Sequence, residues 1–293
     1  MLIKRDLLEH QQNVPWPNLR QVEQDLLLCQ SMIALFNDNF LQSQIAMRGG
    51  TLLHKVHLTP ASRYSEDIDL VIVGDRPDDH ISKAIRRVLR DILGKPTFSA
   101  WEEVRLAIRN VVKPSKVLRE IYYVKSIADP SSKPLEIVVE TNATERNPHM
   151  DVVRLPFRLQ LHNQTSQALV CGFDIHEMLG TKMRALFQRM RGRDLFDLYW
   201  ALTQSPEPVD PARIIDAFQH YMEQEKSEAS RDDFIAAMNI RLADKGFLTD
   251  MIPLLRTGLN YDPPAAGKYV TENLLMRIPD DGASLRSQDQ KPL

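Results

Sequence analysis

Asp67 and Asp69 stand two apart in the segment SRYSEDIDLVIVG, and two residues is the side-chain repeat of a β-strand. If the segment is extended, both carboxylates leave one face and can share a cation, the arrangement with which nucleotide chemistry holds Mg²⁺. Alone, an Asp-x-Asp pair fits a solvated strand face equally well. Its surroundings sharpen it. The segment turns continuously apolar after the pair, so the two acids stand at the mouth of a core strand. Adjacent charges there need a cation or hydrogen-bond donors to offset desolvation. Upstream, Gly49-Gly50 reads as a tight turn with Thr51 as the N-cap of a following helix, and such turns present backbone N–H groups to a phosphate. Glu136 and Glu140 in LEIVVET share a strand face by parity. Either supplies a third carboxylate, and Glu136, entering an apolar run, is preferred over Glu140 beside Thr141 and Asn142.

Further on, Lys182, Arg184, Arg189, Arg191 and Arg193 lead up to Asp194 and Asp197, which are three apart and so share a helix face. Lys83, Arg86, Arg87 and Arg90 form a second basic stripe. Both clusters suit a polyphosphate or an RNA backbone, and both suit an ordinary solvated helix. His54 and His57 lie apart from any acidic cluster and read as plain helix residues. Cys29 and Cys171 have no neighbouring His or Cys, which argues against a zinc knuckle or a disulfide scaffold and fits a reducing cytoplasm.

Helical periodicity covers 19–36 (Val22, Leu26, Cys29, Ile33, Phe36) and 79–93, closed by Gly94 and Pro96. Strand patterning covers the Asp67 segment, 118–124 with its hairpin partner 135–141, then LPFRLQLHN and QALVCG; 97–118 is ambiguous between the two. From Asp174 the pattern is helical to about 258. The chain of 293 residues thus predicts an α+β protein. A mixed β-sheet flanked by helices occupies 1–165, and a mostly helical domain occupies 166–293, loose from about 262. Composition is 43% hydrophobic and 26% charged, with 37 Lys and Arg against 39 Asp and Glu. That balance excludes a disordered chain and a wholly basic nucleic-acid binder. No apolar run approaches the roughly 20 residues of a membrane span, and the N-terminus lacks a signal core, so the expected location is cytoplasmic.

Taken in order, Gly49-Gly50-Thr51-Leu52-Leu53-His54-Lys55, then Arg63-Tyr64-Ser65-Glu66-Asp67-Ile68-Asp69-Leu70, a strand carboxylate, and KMRALFQRMRGRDLFDL from Lys182 resemble the AbiEii/AbiGii-type nucleotidyltransferase toxins of the DNA polymerase β-like superfamily. The resemblance implies a nucleotidyltransferase-type sheet in the first domain. It implies that Gly49, Gly50 and Thr51 hold the phosphates of a nucleoside triphosphate, with Lys55 in support and Arg63 and Ser65 beside them. Asp67, Asp69 and Glu136 would be the Mg²⁺ ligands, two ions during catalysis, with Glu136 as third ligand or base. Lys182 would contact the triphosphate and Asp194 would position Lys182 or the base. The implied reaction passes a nucleoside monophosphate to a hydroxyl, with a tRNA 3′ end as the favoured acceptor and a cognate antitoxin as partner. A protein or small-molecule acceptor, a non-catalytic scaffold, and a phosphatase or nuclease that also uses Asp-x-Asp are the alternatives.

Overall fold

The computed structural model describes residues 2–108, 111–225, 227 and 229–279, with backbone alone for the described part of 104–115. The chain divides into two compact units, the first ending at Met178 and taking back Leu254–Leu259. The division falls beyond the sequence-based boundary at 165, because the strand spanning Gln164–Gly172 is hydrogen-bonded into the sheet.

In unit 1, α1 (Lys4–His10) and α2 (Leu19–Asn37) are followed by β1 (Ile45–Arg48) and α3 (Gly49–Leu52), which runs into a π-helical turn at Leu53–His57. Then come β2 (Asp67–Ile72), α4 (Asp78–Leu93), β3 (Phe98–Ile108), β4 (Val111–Val124), β5 (Leu135–Asn142), β6 (Val153–Leu161) and β7 (Gln164–Gly172). Of the ambiguous stretch 97–118, residues 98–108 and 111–118 are strand, and 109–110 lie outside the described residues. The seven strands are ordered β3-β4-β5-β2-β1-β7-β6. β2 lies at the centre, antiparallel to β1 and parallel to β5. Centrality explains its continuous apolar run: Ile68, Leu70, Val71 and Ile72 are all buried.

Two buried carboxylates tie α2 into unit 1. Glu23 accepts hydrogen bonds from Ser126 Oγ (2.6 Å), Ile127 N (2.7 Å) and Ala128 N (3.1 Å), closing the loop between β4 and β5 against the helix. Asp25 is 1% exposed and surrounded by donors. His10 Nε2 lies 2.8 Å from Oδ1, Trp16 Nε1 donates to Oδ2 at 2.9 Å, and the Lys55 ammonium pairs with Oδ2. One side chain thereby joins α1, the α1–α2 connection, α2 and the π-helical turn.

Unit 2 takes the chain from within α5 (Ile175–Gln188) and adds α6 (Gly192–Gln204), α7 (Pro211–Gln224), α8 (Arg231–Leu242), α9 (Lys245–Thr249) and α10 (Pro263–Asn273). The expected loose tail is thus helical over its first part, where Asp262 caps Ala265 N and proline occupies the first turn. Its remainder, 280–293, lies outside the described residues. Gly180 passes so close to α7 that a Cβ would stand 2.6 Å from Ala217 Cβ. Among the described residues no helix is long and apolar enough to cross a membrane.

The Asp25 network fixes a sign for acid stability. Burial alone would raise the Asp25 carboxyl, but Lys55 and His10 outweigh it and hold the group well below the usual carboxylate range. A lowered folded-state value contributes stability that is complete above the unfolded value of about 3.9 and is lost as pH falls through the folded one. Denaturant unfolding should therefore find Asp25→Asn less stable than wild type at pH 7. It should also find the variant's stability falling less steeply with acidification below about pH 4.

Candidate active site

β1 delivers the glycine pair to the end of β2. Arg48, the last residue of β1, pairs in register with Asp69, so the chain turns into α3 directly beside that aspartate. Gly49 has φ +79°, and a Cβ there would stand 1.8 Å from Asp69 Oδ2. Only glycine permits both the left-handed backbone and the contact. Gly50 is equally enclosed: a Cβ would lie 2.6 Å from Arg63 Nη2 and 3.0 Å from Ser65 Oγ. Thr51, expected as an N-cap, instead sits inside α3. Its hydroxyl donates to the Asp67 carbonyl and lies 2.8 Å from Ser65 Oγ. Gly49, Gly50, Thr51, Arg63, Ser65, Asp67 and Asp69 are therefore brought together, with helical N–H groups, a guanidinium and two hydroxyls beside two carboxylates.

Lys55 is placed elsewhere. Its side chain is 8% exposed and its ammonium pairs with Asp25. Burial would lower this lysine, yet the adjacent Asp25 carboxylate raises it. The expected support of phosphates by Lys55 is thus replaced by an internal ion pair.

Strand register shows which carboxylate lies beside Asp69. Across the sheet Arg48 pairs with Asp69, Asp69 with Glu140, and Glu140 with Arg119. Register neighbours share a face, so one row runs cation, acid, acid, cation over β1, β2, β5 and β4. Glu140 is the neighbour of Asp69. Glu136 instead precedes Val138, the partner of Asp67, and is exposed at the entry to β5. Arg119 Nη2 donates to Glu140 Oε1, while Oε2 has no hydrogen-bond partner among the described residues. Hydrogen bonding to Glu140 raises Arg119 further above its ordinary value. Arg48 and Arg119 were not identifiable from sequence, since only strand pairing puts them in this row; Arg48 does adjoin the glycine pair.

A cleft of about 380 Å³ opens beside Asp67, lined among others by Arg20, Gln21, Gln24, Tyr64 and Glu136. Gln24 Nε2 donates to the Glu136 carbonyl at 3.0 Å. The Tyr64 hydroxyl is buried with no hydrogen-bond partner among the described residues.

Two carboxylate groupings bear on metal. Asp67, Asp69 and Glu140 offer oxygen donors from adjacent strands on one face, the donor type that hard divalent cations take. His10, Asp25 and Cys29 also come within ligand distance of one another. That grouping does not fit an ion, because the Lys55 ammonium already supplies the positive charge at Asp25. Burial also pushes the Cys29 thiol up to about 12, so it stays protonated.

In unit 2, Lys182 forms a buried cluster with the acids of α6. Its ammonium is 3.4 Å from Asp194 Oδ1 and 2.9 Å from Asp197 Oδ2. Arg189 adds a bidentate pair to Asp194 at 2.7 and 2.8 Å. Both aspartates are fully buried.

Two variants follow from these contacts. Gly49→Ala should leave the protein folded with a melting temperature lowered by several degrees, since alanine is strained at this positive φ, and should displace the Asp69 carboxylate. Nucleotide transfer, the activity implied by the resemblance, should then fall about 100-fold or more. Asp194→Asn removes the bidentate partner of Arg189 and one of the two partners of Lys182, and should cost about 3–5 kcal/mol in denaturant unfolding. Asp197→Asn should cost less, because Lys182 keeps Asp194.

The description "Nucleotidyl transferase AbiEii toxin, Type IV TA system" belongs to the family whose sequence profile matches residues 32–271. Among solved structures, the fold is similar to MenT4, a nucleotidyltransferase toxin from Mycobacterium tuberculosis H37Rv. The TM-score is 0.62 at 14% identity, covering 95% of this chain and 91% of that one. JHP933 from Helicobacter pylori matches with a TM-score of 0.48 at 13% identity over 86% of this chain and 89% of its own. Comparison with curated protein sequences gives no match. Because the profile spans most of the chain, from α2 through α10, the protein belongs to the AbiEii family of nucleotidyltransferase toxins and is an NTP-dependent nucleotidyltransferase.

Proposed function

We propose that the protein transfers a nucleoside monophosphate from an NTP to a hydroxyl of RNA, with the 3′ end of tRNA as the favoured acceptor, in the cytoplasm and under the control of an antitoxin. The observation that carries the reaction class is the contact of Gly49 with Asp69, with Glu140 in register beside it. This contact sets a phosphate-binding turn directly against a set of carboxylates.

In this reading the N–H groups at the start of α3, the Arg63 guanidinium and the Thr51 and Ser65 hydroxyls bind the triphosphate. They orient its α-phosphorus towards Asp67 and Asp69. Asp67 and Asp69 would hold Mg²⁺, which when bound offsets the charge developing on the α-phosphate oxygens. The acceptor hydroxyl enters from the cleft beside Asp67. Glu140 Oε2, whose partner oxygen is held by Arg119, accepts the proton of that hydroxyl. Attack from this side displaces pyrophosphate in line. We assign Glu136 to the cleft wall instead of the carboxylate set. In unit 2, Asp194 and Asp197 fix the Lys182 ammonium.

The test is transfer of label from each α-³²P NTP to total RNA in Mg²⁺. Wild type should label small RNA from one NTP, and Asp69→Asn should not. Glu140→Gln should lose about 100-fold or more, within the range of general-base contributions, and Glu136→Gln only a few-fold. Label on protein in place of RNA would overturn the acceptor, and equal activity of wild type and Asp69→Asn would overturn the site.

A further inference from the structure

Helix α4 carries a charged face that neither the packing of unit 1 nor the chemistry above uses. Its apolar side, with Ile81, Ile85, Leu89 and Leu93, is buried, and α4 packs on α2. Elsewhere on its surface Lys83, Arg86, Arg87 and Arg90, joined by Lys95 and Pro96 after the helix end, line a shallow groove of about 420 Å³. Among the described residues no acidic side chain lines it. Arg86 Nη1 lies 3.2 Å from Glu120 Oε1, and Arg87 Nη2 lies 2.7 Å from Asp38 Oδ2. The exposed side chains of Lys83, Arg90 and Lys95 have no ion-pair or hydrogen-bond partner among the described residues. Three positive charges therefore stand uncompensated in one groove, on a chain whose formal net charge is −2.

Positions 83, 86–87 and 90 recur at one helical turn, about 5.4 Å, so the cations form a row and not a point. A row suits a chain of phosphates. The lining offers alkyl stems and one proline, and among the described residues no aromatic ring to stack a base. Recognition here would be by charge alone.

We propose that this face of α4 is a docking surface for the sugar–phosphate backbone of RNA, holding the acceptor without reading its sequence. The proposal rests on the RNA reading above, and its test is binding without NTP, so the two can fail separately.

The probe is a fluorescein-labelled RNA hairpin with a single-stranded 3′ tail, titrated with the full-length protein by anisotropy over a range of NaCl concentrations. The charge-reversed variant K83E/R90E/K95E alters only side chains without internal partners. It should bind about tenfold or more weakly at low salt, and its slope of log K against log salt should be shallower by about 2. Unchanged melting temperature and NTP affinity would assign the loss to the surface; should the reversal unfold the protein, K83Q/R90Q/K95Q gives the same reading with a smaller loss. Equal affinity and slope for wild type and variant, or no binding of the probe by wild type, overturns the proposal. Loss of binding to poly-glutamate with RNA binding intact also overturns it, in favour of an acidic protein partner. Transfer of label to RNA by wild type, with unaltered binding by the variant, sinks the docking surface and leaves the proposed reaction standing.

Discussion

The contact between the Gly49 α-carbon and the Asp69 carboxylate is the constraint on which the site depends. It requires β1 to end beside β2 in a register that pairs Arg48 with Asp69. It also requires the chain to leave β1 with a positive φ that other residues resist. Once both conditions hold, the first N–H groups of α3 lie next to the carboxylates without any further device. Gly50 repeats the logic one residue later, letting Arg63 and Ser65 close against the turn.

Buried charge is the second recurring theme, and the buried acids described above are met by donors. Asp25 gathers an imidazole, an indole N–H and an ammonium, which together outweigh its desolvation. Glu23 satisfies two backbone N–H groups and a hydroxyl of the loop before β5, the strand that carries Glu140. In unit 2, Asp194 and Asp197 meet Lys182 and Arg189 in matched number. Removing one member of such a set leaves the others buried and unmatched, so these residues hold the elements in place more stringently than apolar contacts of similar size.

The row Arg48, Asp69, Glu140, Arg119 explains how neighbouring carboxylates coexist on one sheet face. Two flanking arginines offset the repulsion between the acids, yet each arginine also has its own carboxylate, Arg48 with Glu145 and Arg119 with Glu140. The acids are thus steadied without being sealed off: Glu140 remains one-third exposed. A site that gathers a polyanion and a cation needs this balance, since full neutralisation would leave nothing for the ligand to complete.

The α+β class, helices at 19–36 and 79–93, the Asp-x-Asp strand and the glycine turn were all legible from sequence, because each is a local pattern of period, capping or turn chemistry. So was the family, since its motifs are short runs of adjacent residues. Glu140 and Glu136 share strand parity, and parity cannot say which lies beside Asp69; the register of β5 on β2 does, because pairing is a property of two distant segments. Lys55 shows the same limit from the other side. Its place after the glycine pair points to phosphate, but α2 brings Asp25 to it, and a buried ammonium takes the nearest buried carboxylate. Residues 98–108 and 111–118 became strand for a related reason: pairing with neighbouring strands of the sheet overrides weak local preference. The sequence by itself therefore determined which chemical groups are present and on which elements, whereas tertiary structure decided which of them meet.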